Sequence, residues 1–240
     1  MTALRGLSLW NRAVLVSAAI VALVVLITAV GWLVSDHHRS RTYSYSGPLT
    51  RVELRLSSAR VAIVGSDSST IEVRRSDDYS FGHVASETRS VDRGVLRISS
   101  SCPRVVVGSC SASYELAVPE TVTVTVVTTS GDIRLTGFRG NAAMRTGSGN
   151  VDVAAYCGFN LAAASGSGDI HVSAACAPRN LVLRTRSGDL VALVPPGRYR
   201  IGVGSGSGHE RVTGVRRDAA APFTIDAHSG SGNVSVVGGL

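Results

Sequence analysis

The chain has 240 residues, of which 44% are hydrophobic and 17% charged, and its formal net charge is +7. This composition excludes a disordered protein and fits one sizeable domain with a short appendage. Five charged residues flank an apolar N-terminal segment, namely Arg5, Arg12, Asp36, Arg39 and Arg41. Without them, the 24 basic and 17 acidic residues fall to 20 and 16, a net charge of +4. Such a mixed charge, with no sequence cluster of arginine and aromatic residues, argues against nucleic-acid binding.

Residues 13–34 contain no charged residue and are mostly Ala, Val, Leu and Ile. Their number matches the roughly 20 residues that a helix needs to cross a bilayer. A cleaved signal peptide is the alternative, but the apolar run exceeds the ~7–15 residues of a typical signal core, and no small-x-small site follows it. The sequence therefore predicts a transmembrane helix over 13–34, a short cytoplasmic tail over 1–12 and a linker over 35–49.

Residues 50–120 contain four short stretches in which apolar and polar residues alternate, as in strands with one buried face. These stretches begin at Arg51, Arg60, Thr70 and Val95. None of them carries the glycine phrase of the C-terminal half, so we expect irregular capping coils over 50–120.

The C-terminal half repeats the phrase Ser-Gly-(Asp/Asn)-apolar, with a degenerate fifth copy at Ser207-Gly208-His209-Glu210. Successive glycines of the phrase are 18, 19, 20, 20 and 24 residues apart. A fixed period of ~20 residues predicts an all-β solenoid, in which each coil buries its apolar face against the next. We expect regular coils over 121–240 and a ladder of turn residues formed by Gly131, Asp132, Gly149, Asn150, Gly168, Asp169, Gly188, Asp189, Gly232 and Asn233.

Apolar residues recur two and four positions after each glycine and five and seven before it, except at Glu210. This period of two predicts two strands per coil, joined at a Ser-Gly corner. Asn141, Asn160 and Asn180 share the position eight residues before the glycine, which predicts a ladder of stacked amides.

Two of the four cysteines occupy the same position in successive coils, because Cys157 and Cys176 each follow a repeat glycine by eight residues. Strands stacked ~4.8 Å apart are close enough for a disulfide. This pairing leaves Cys102 and Cys110 for a second, local disulfide; buried free thiols are the alternative. Arginines flank both ends of the apolar segment and do not fix its orientation. Disulfides favour an oxidising compartment, so we expect the domain over 50–240 to be extracytoplasmic.

The aligned carboxylates Asp132, Asp169 and Asp189 could be general acids or calcium ligands. Asn occupies the same column in other coils, which favours a role in the turn. We therefore predict no catalytic residue, no metal and no cofactor. Two irregular features are candidate contact sites: the corner with His209 and Glu210, and the segment Val236–Leu240, where we expect an open edge that permits self-association.

The stretch Tyr114–Glu120, the strand over Thr121–Thr129 and the corner Ser130–Asp132 precede recurrent Thr/Ser-x-Ser-Gly-(Asp/Asn) phrases. This combination resembles the bacterial family of putative adhesins with β-strand repeats, a domain of unknown function, over about residues 50–240. The resemblance implies a membrane-anchored or exported β-solenoid with no established enzymatic activity, often linked to envelope-stress operons. His209 and Glu210 depart from the family pattern.

These observations predict a non-enzymatic, single-pass envelope protein whose solenoid serves as an adhesin or scaffold. Its expected partners are the membrane, an envelope protein or polymer, and a second copy of the chain. Two alternatives remain open. One is an envelope-stress sensor that signals through its single helix, and the other is a glycan-active enzyme that depends on Asp169 and Asp189.

Overall fold

The computed structural model describes residues 9–34, 37–81, 83–104 and 109–239. The start of the predicted tail (1–8), residues 35 and 36 of the predicted linker, and Leu240 lie outside the described residues. The elements are α1 (Leu9–Val34), β1 (His37–Tyr45), β2 (Arg51–Ser66), β3 (Ile71–Tyr79), β4 (Ser86–Asp92), β5 (Val95–Ser101), β6 (Cys110–Pro119), β7 (Thr123–Ser130), β8 (Ile133–Thr136), β9 (Ala142–Ser148), β10 (Val151–Tyr156), β11 (Asn160–Ser167), β12 (Ile170–Ala174), β13 (Asn180–Ser187), β14 (Leu190–Val194), β15 (Arg198–Ser205), β16 (Glu210–Thr213), β17 (Arg216–Arg217), β18 (Thr224–Ser231) and β19 (Val234–Gly238).

Helix α1 is long and apolar enough to cross a membrane. Its window Val14–Gly31 has a mean hydropathy of 2.8, and no part of that window is buried against the rest of the chain. Its 26 residues extend about 39 Å at 1.5 Å per residue, more than the ~30 Å of a hydrocarbon core.

The strands form two long sheets that face each other across one apolar core. Sheet 1 has the order β1-β3-β6-β2-β8-β10-β12-β14-β19-β16. Sheet 2 has the order β4-β5-β2-β7-β9-β11-β13-β18-β15. The long strand β2 belongs to both sheets, and every pairing from β2 to the C-terminal end is parallel. The predicted all-β solenoid is confirmed.

Each coil contributes one strand to each sheet, and we call such a coil a rung. Equivalent aliphatic side chains lie directly over one another in the core: Ile133, Val151, Ile170, Leu190 and Val234 are aligned, and each is at most 1% exposed. This alignment is the one that the period of ~20 residues predicts for the regular coils.

The order of the rungs in space differs from their order in the sequence at the C-terminal end. Strands β18 and β19 lie directly on β13 and β14, and the rung of β15 and β16 lies outside them. The expectation of an open edge at Val236–Leu240 was therefore wrong. Strand β19 pairs on both sides, and the exposed edge belongs to β15, β16 and the short β17.

The charge of Glu210 explains why the rung of β15 and β16 lies outside the rung of β18 and β19. In the register it aligns with Val234 in the column of core aliphatics, but it is exposed, and its Oε1 accepts a hydrogen bond of 2.9 Å from the Ser205 amide. Between two rungs, its carboxylate would be buried without a partner, at a cost of several kcal/mol. On the last rung it keeps its contact with water.

A similar insertion occurs at the N-terminal end. Strand β2 lies between the rung of β5 and β6 and the rung of β7 and β8, although β3 to β6 follow it in the sequence. Residues 50–120 contain β2 to β6, and the antiparallel strands β3 and β4 of this segment, together with β1, extend the two sheets at this end. The segment expected to be a linker contains β1, whose nine residues all pair with β3.

The exchanged rung order predicts unequal effects of two opposite substitutions. Val234→Glu lowers the free energy of unfolding by about 3 kcal/mol or more, because it buries a carboxylate between two rungs. Glu210→Val changes it by less than about 1 kcal/mol, because the residue is exposed. Urea unfolding of the full chain in detergent, followed by circular dichroism, measures both. If the rungs stacked in sequence order, Glu210 would be internal and the two effects would exchange.

Candidate interaction surfaces

The Ser-Gly corners bring neighbouring rungs unusually close together. Gly188 has a φ of +142°, which disfavours any residue with a side chain, and a Cβ placed there would collide with the carbonyl oxygen of Gly168. The same two constraints hold at Gly131, Gly149, Gly168 and Gly232. Gly208, in the degenerate corner, is not in the positive-φ region. The glycine of the phrase is therefore required for stacking as well as for the turn.

The Asp and Asn side chains after these glycines hold successive rungs together. The amide of each residue in the column donates to the Oδ1 of the residue one rung below: Asn150 to Asp132 (2.9 Å), Asp169 to Asn150 (2.9 Å), Asp189 to Asp169 (2.8 Å), Asn233 to Asp189 (2.7 Å) and His209 to Asn233 (3.0 Å). An amide oxygen and a carboxylate oxygen serve this role equally well, which explains why Asn and Asp alternate.

A buried hydroxyl column supports the corner from inside. The Oγ atoms of Ser165 and Ser229 donate to the carbonyls of Gly149 and Gly188, each at 2.9 Å, and both residues are under 10% exposed. The small polar residue three positions before each glycine thus satisfies a backbone group that stacking would otherwise leave unpaired.

The predicted amide ladder lies along the beginning of the sheet 2 strands. Nδ2 of Asn160 donates to Oδ1 of Asn141 (3.0 Å), and Nδ2 of Asn180 donates to Oδ1 of Asn160 (2.7 Å). The next positions in this register are Thr224 and Arg200, where the Arg200 guanidinium donates to Thr224 Oγ1 at 3.1 Å.

These ladders leave little room for catalysis or metal binding by the aligned carboxylates. Asp132, Asp169 and Asp189 each use a side-chain oxygen to bind the backbone of the next rung. Within the described ranges, no three His, Cys, Asp or Glu side chains come together as a metal site. The geometry favours the structural role for this column.

Both cysteine pairs form disulfides. Cys157 and Cys176, with Cα atoms 4.6 Å apart, join two successive rungs just beyond β10 and β12. Cys102 and Cys110, 5.8 Å apart, close the loop that replaces the Ser-Gly corner between β5 and β6. The Cys102 amide also donates to Ser57 Oγ on the adjacent rung (2.9 Å).

A buried ionic cluster, which the sequence analysis missed, closes the N-terminal end of the core. Arg75 and Asp77 of β3 lie at inward positions and are each 2% exposed. The Arg75 guanidinium contacts Asp77 Oδ1 at 2.6 Å, Glu87 Oε2 at 3.0 Å and the Ala85 carbonyl at 2.6 Å. Glu87 belongs to β4, so the cluster connects sheet 1 to sheet 2. The alternation Ile71-x-Val73-x-Arg75-x-Asp77 is the sequence signal that could have identified it.

Two tyrosines tie β1 and β6 to this cluster. Glu87 Oε1 accepts hydrogen bonds from the hydroxyls of Tyr43 (2.5 Å) and Tyr114 (3.2 Å), and the Arg89 guanidinium lies 4.2 Å from the centre of the Tyr43 ring. Burial raises the pKa of both tyrosines, and Glu87 raises it further, so both hydroxyls stay protonated and donate. Burial lowers the pKa of Arg75, but Tyr114, Asp77 and Glu87 together raise it above its ordinary value, which keeps Arg75 charged.

The outer face of sheet 2 carries a smaller charged group on β13 and β18. Arg184 donates to both carboxylate oxygens of Asp226, and His228 Nε2 lies 2.7 Å from Asp226 Oδ1. The hydrogen bonds from Arg184 hold the pKa of Asp226 below its ordinary range despite partial burial. Any stability that this group adds is present at neutral pH and is lost only as the pH falls through that lowered pKa.

The terminal rung, formed by β15, β16 and β17, carries five arginines. Arg198 and Arg200 lie on β15, Arg211 on β16, and Arg216 and Arg217 on β17. Arg216 is the register partner of Arg198. Among the described residues, only Arg198 of the five forms an ion pair with a carboxylate, at 3.3 Å from Asp218 Oδ2.

The buried cluster predicts that Arg75→Met destabilises the protein strongly. The change leaves Asp77 and Glu87 buried without their cation, so we expect a loss of about 3–5 kcal/mol in the free energy of unfolding. Arg74→Met is the matched control: Arg74 is the adjacent exposed residue, and its loss should cost less than about 0.5 kcal/mol. Denaturant unfolding of the full chain gives both values, and equal effects would contradict the role of the cluster.

The turn ladder predicts a difference between two substitutions of Asp169. Asp169→Asn keeps the Oδ1 acceptor and should unfold like the unchanged chain. Asp169→Leu leaves the Asp189 amide without its acceptor and should cost about 1 kcal/mol. Thermal unfolding compares the two variants. An Asp169→Asn variant as unstable as Asp169→Leu would show that the charge, rather than the acceptor, matters.

Comparisons with known proteins agree with this architecture. The family model described as Toastrack DUF4097 matches residues 50–237. A putative cell adhesion protein from Clostridium sporogenes aligns with 85% of this chain and 100% of its own, at 11% identity and a TM-score of 0.51. A putative adhesin from Bacteroides fragilis aligns with 82% of this chain and 97% of its own, at 12% identity and a TM-score of 0.45. No curated protein matches significantly. Because the family model spans more than half of the chain, the predicted resemblance is confirmed, and the chain belongs to the Toastrack DUF4097 family.

Proposed function

We propose that this protein is a single-pass membrane protein whose extracytoplasmic solenoid is a binding surface or scaffold without catalytic activity. Residues 1–12 are then the cytoplasmic tail, residues 13–34 the anchor and residues 50–240 the exported domain. The anchor itself gives the protein its first partner, the membrane.

The observation that carries this proposal is that only two residues of the chain separate α1 from the sheet. Helix α1 ends at Val34 and β1 begins at His37. Strand β1 pairs with β3 along its whole length, and its Tyr43 is bound to the buried cluster. An anchor attached in this way holds a stiff body close to the bilayer instead of releasing it on a flexible tether.

The two disulfides support an exterior location, since such bonds persist in oxidising compartments. The solved putative cell adhesion protein from Clostridium sporogenes shares the fold, and a shared fold alone does not assign activity. Support for a non-catalytic role comes instead from the polar columns, because the aligned Asp and Asn side chains are engaged in holding the rungs together.

Cysteine labelling in intact cells tests the predicted topology. The chain carries Thr129→Cys on the exposed outer face of sheet 2 or, as the matched control, Thr2→Cys in the predicted tail. A membrane-impermeant maleimide should label Thr129→Cys in intact cells and label Thr2→Cys only after permeabilisation. The native cysteines give no background because they are paired in disulfides.

Two outcomes would contradict the proposal. The reversed labelling pattern would place the solenoid in the cytoplasm. A labelled protein that appears in the medium without residues 1–34 would identify the apolar segment as a cleaved signal peptide. Membrane-bound chain with an intact N-terminus is the expected form.

A further inference from the structure

We infer that the terminal rung, formed by β15, β16 and β17, binds a linear phosphate-bearing polyanion. This inference rests on the proposed function, because an exported solenoid would meet phosphate polymers of the cell envelope rather than intracellular nucleic acids.

The fold concentrates positive charge on this one rung. Residues 198–218 contain five arginines and two acidic residues, a net charge of +3. Beyond the membrane flanks, residues 42–240 have a net charge of +4, so the rest of the solenoid carries only +1. Most of the excess charge therefore lies at one end of the solenoid axis.

The register places like charges side by side. Arg198 and Arg216 are partners in the parallel pairing of β15 and β17, at a strand separation of ~4.8 Å, and Arg200 follows Arg198 on the same face of β15. Like charges that are directly opposed destabilise a sheet. Charged residues do protect an exposed edge from aggregation, but that protection does not require like charges to be register partners. An anion that bridges the guanidinium groups would remove the repulsion.

The acidic residues nearby neutralise only Arg198 among the five arginines. Asp218 pairs with Arg198, and its other oxygen accepts the Ala220 amide at 2.9 Å, while Glu210 binds the Ser205 amide. In the part of the chain that the structure describes, Arg216 and Arg217 form no ion pair. Both are exposed and stand on the outermost strand, where a ligand can reach them.

The chemistry of the cluster and its position favour a phosphate polymer. A guanidinium group offers paired N–H donors that match two oxygens of a phosphate. Neighbouring arginines on one rung match a chain with repeated charges better than a single small anion. Nine strand spacings of sheet 1 separate β16 from β1, about 43 Å at ~4.8 Å each. The site thus lies at the end of the solenoid axis opposite the anchored strand.

The test measures binding of fluorescent linear polyphosphate to the full chain in zwitterionic detergent micelles, over a series of salt concentrations. We expect binding that weakens as salt rises. The double variant Arg216→Gln/Arg217→Gln should bind about tenfold more weakly. Arg145→Gln/Arg186→Gln is the matched control: it removes the same charge from exposed positions on internal rungs and should bind within about twofold of the unchanged chain.

A gain of affinity provides a second test that does not depend on removing arginines. Asp218→Asn keeps the acceptor for the Ala220 amide but removes the carboxylate beside Arg198, so it should tighten polyphosphate binding. Polygalacturonate, a polymer with carboxylates, serves as the second probe and should bind more weakly than polyphosphate at equal charge concentration. A carboxylate polymer that binds as tightly would overturn the assignment of phosphate.

Two other results would overturn the inference: an equal loss in the control variant, or no polyphosphate binding at low salt, whether or not anionic phosphatidylglycerol vesicles bind. Each of these results leaves the labelling test of topology unaffected. The two proposals can therefore fail separately.

Discussion

The vertical contact between glycines at successive corners is the constraint on which the rest of the solenoid depends. At Gly168 and Gly188 the rungs approach so closely that no side chain fits between the two backbones. That approach brings the Asp169 side chain within 2.8 Å of the Asp189 amide, and it sets the Thr185 hydroxyl against the Gly168 carbonyl at 3.1 Å. Once the corners are aligned, the strands on either side enter the same register, and the aliphatic columns of the core follow.

A repetitive core of this kind must end somewhere. Charged residues lie at both ends of the core in this protein, but they are paired and buried at one end and exposed to water at the other. At the N-terminal end, antiparallel strands cover the rungs, and Arg75 lies between Asp77 and Glu87, so that the buried charges are paired. At the C-terminal end, Glu210 occupies a core position of the last rung and faces water. A charge in an aliphatic column is costly if a further rung covers it, so Glu210 also defines which rung is the last.

Much of the fold could be predicted from the sequence because the repeat acts locally. The period of ~20 residues fixes the neighbours of Ile133, Val151 and Ile170, and it places Cys157 beside Cys176. The period does not fix the order of the last two rungs. That order depends on the cost of burying Glu210 compared with Val234 at equivalent core positions. The spacing of the glycines carries no information about this cost. The antiparallel strands β1 and β4 were missed because they are polar and lie outside the repeat.

The candidate binding surface was hidden from sequence analysis for a related reason. Arg198 and Arg216 are 18 residues apart in the chain, and no run of basic residues connects them. The short strand β17 brings them together because it pairs in parallel with the beginning of β15. The five arginines within residues 198–218 are visible in the sequence, but the spacing does not show that Arg198 and Arg216 lie side by side or that their rung is the last of the stack.

The exchanged rung order also gives the charged rung a stable attachment. If the chain ended with this rung, its last strand would be both an edge strand and a free terminus, where fraying is greatest. Instead, β15 follows directly from β14 at one end, and the chain after β17 returns to β18 inside the stack. Both ends of the terminal rung are thereby tied to internal rungs. This closed connection limits fraying of the edge strands, and it keeps the backbone positions of Arg198 and Arg216 in register.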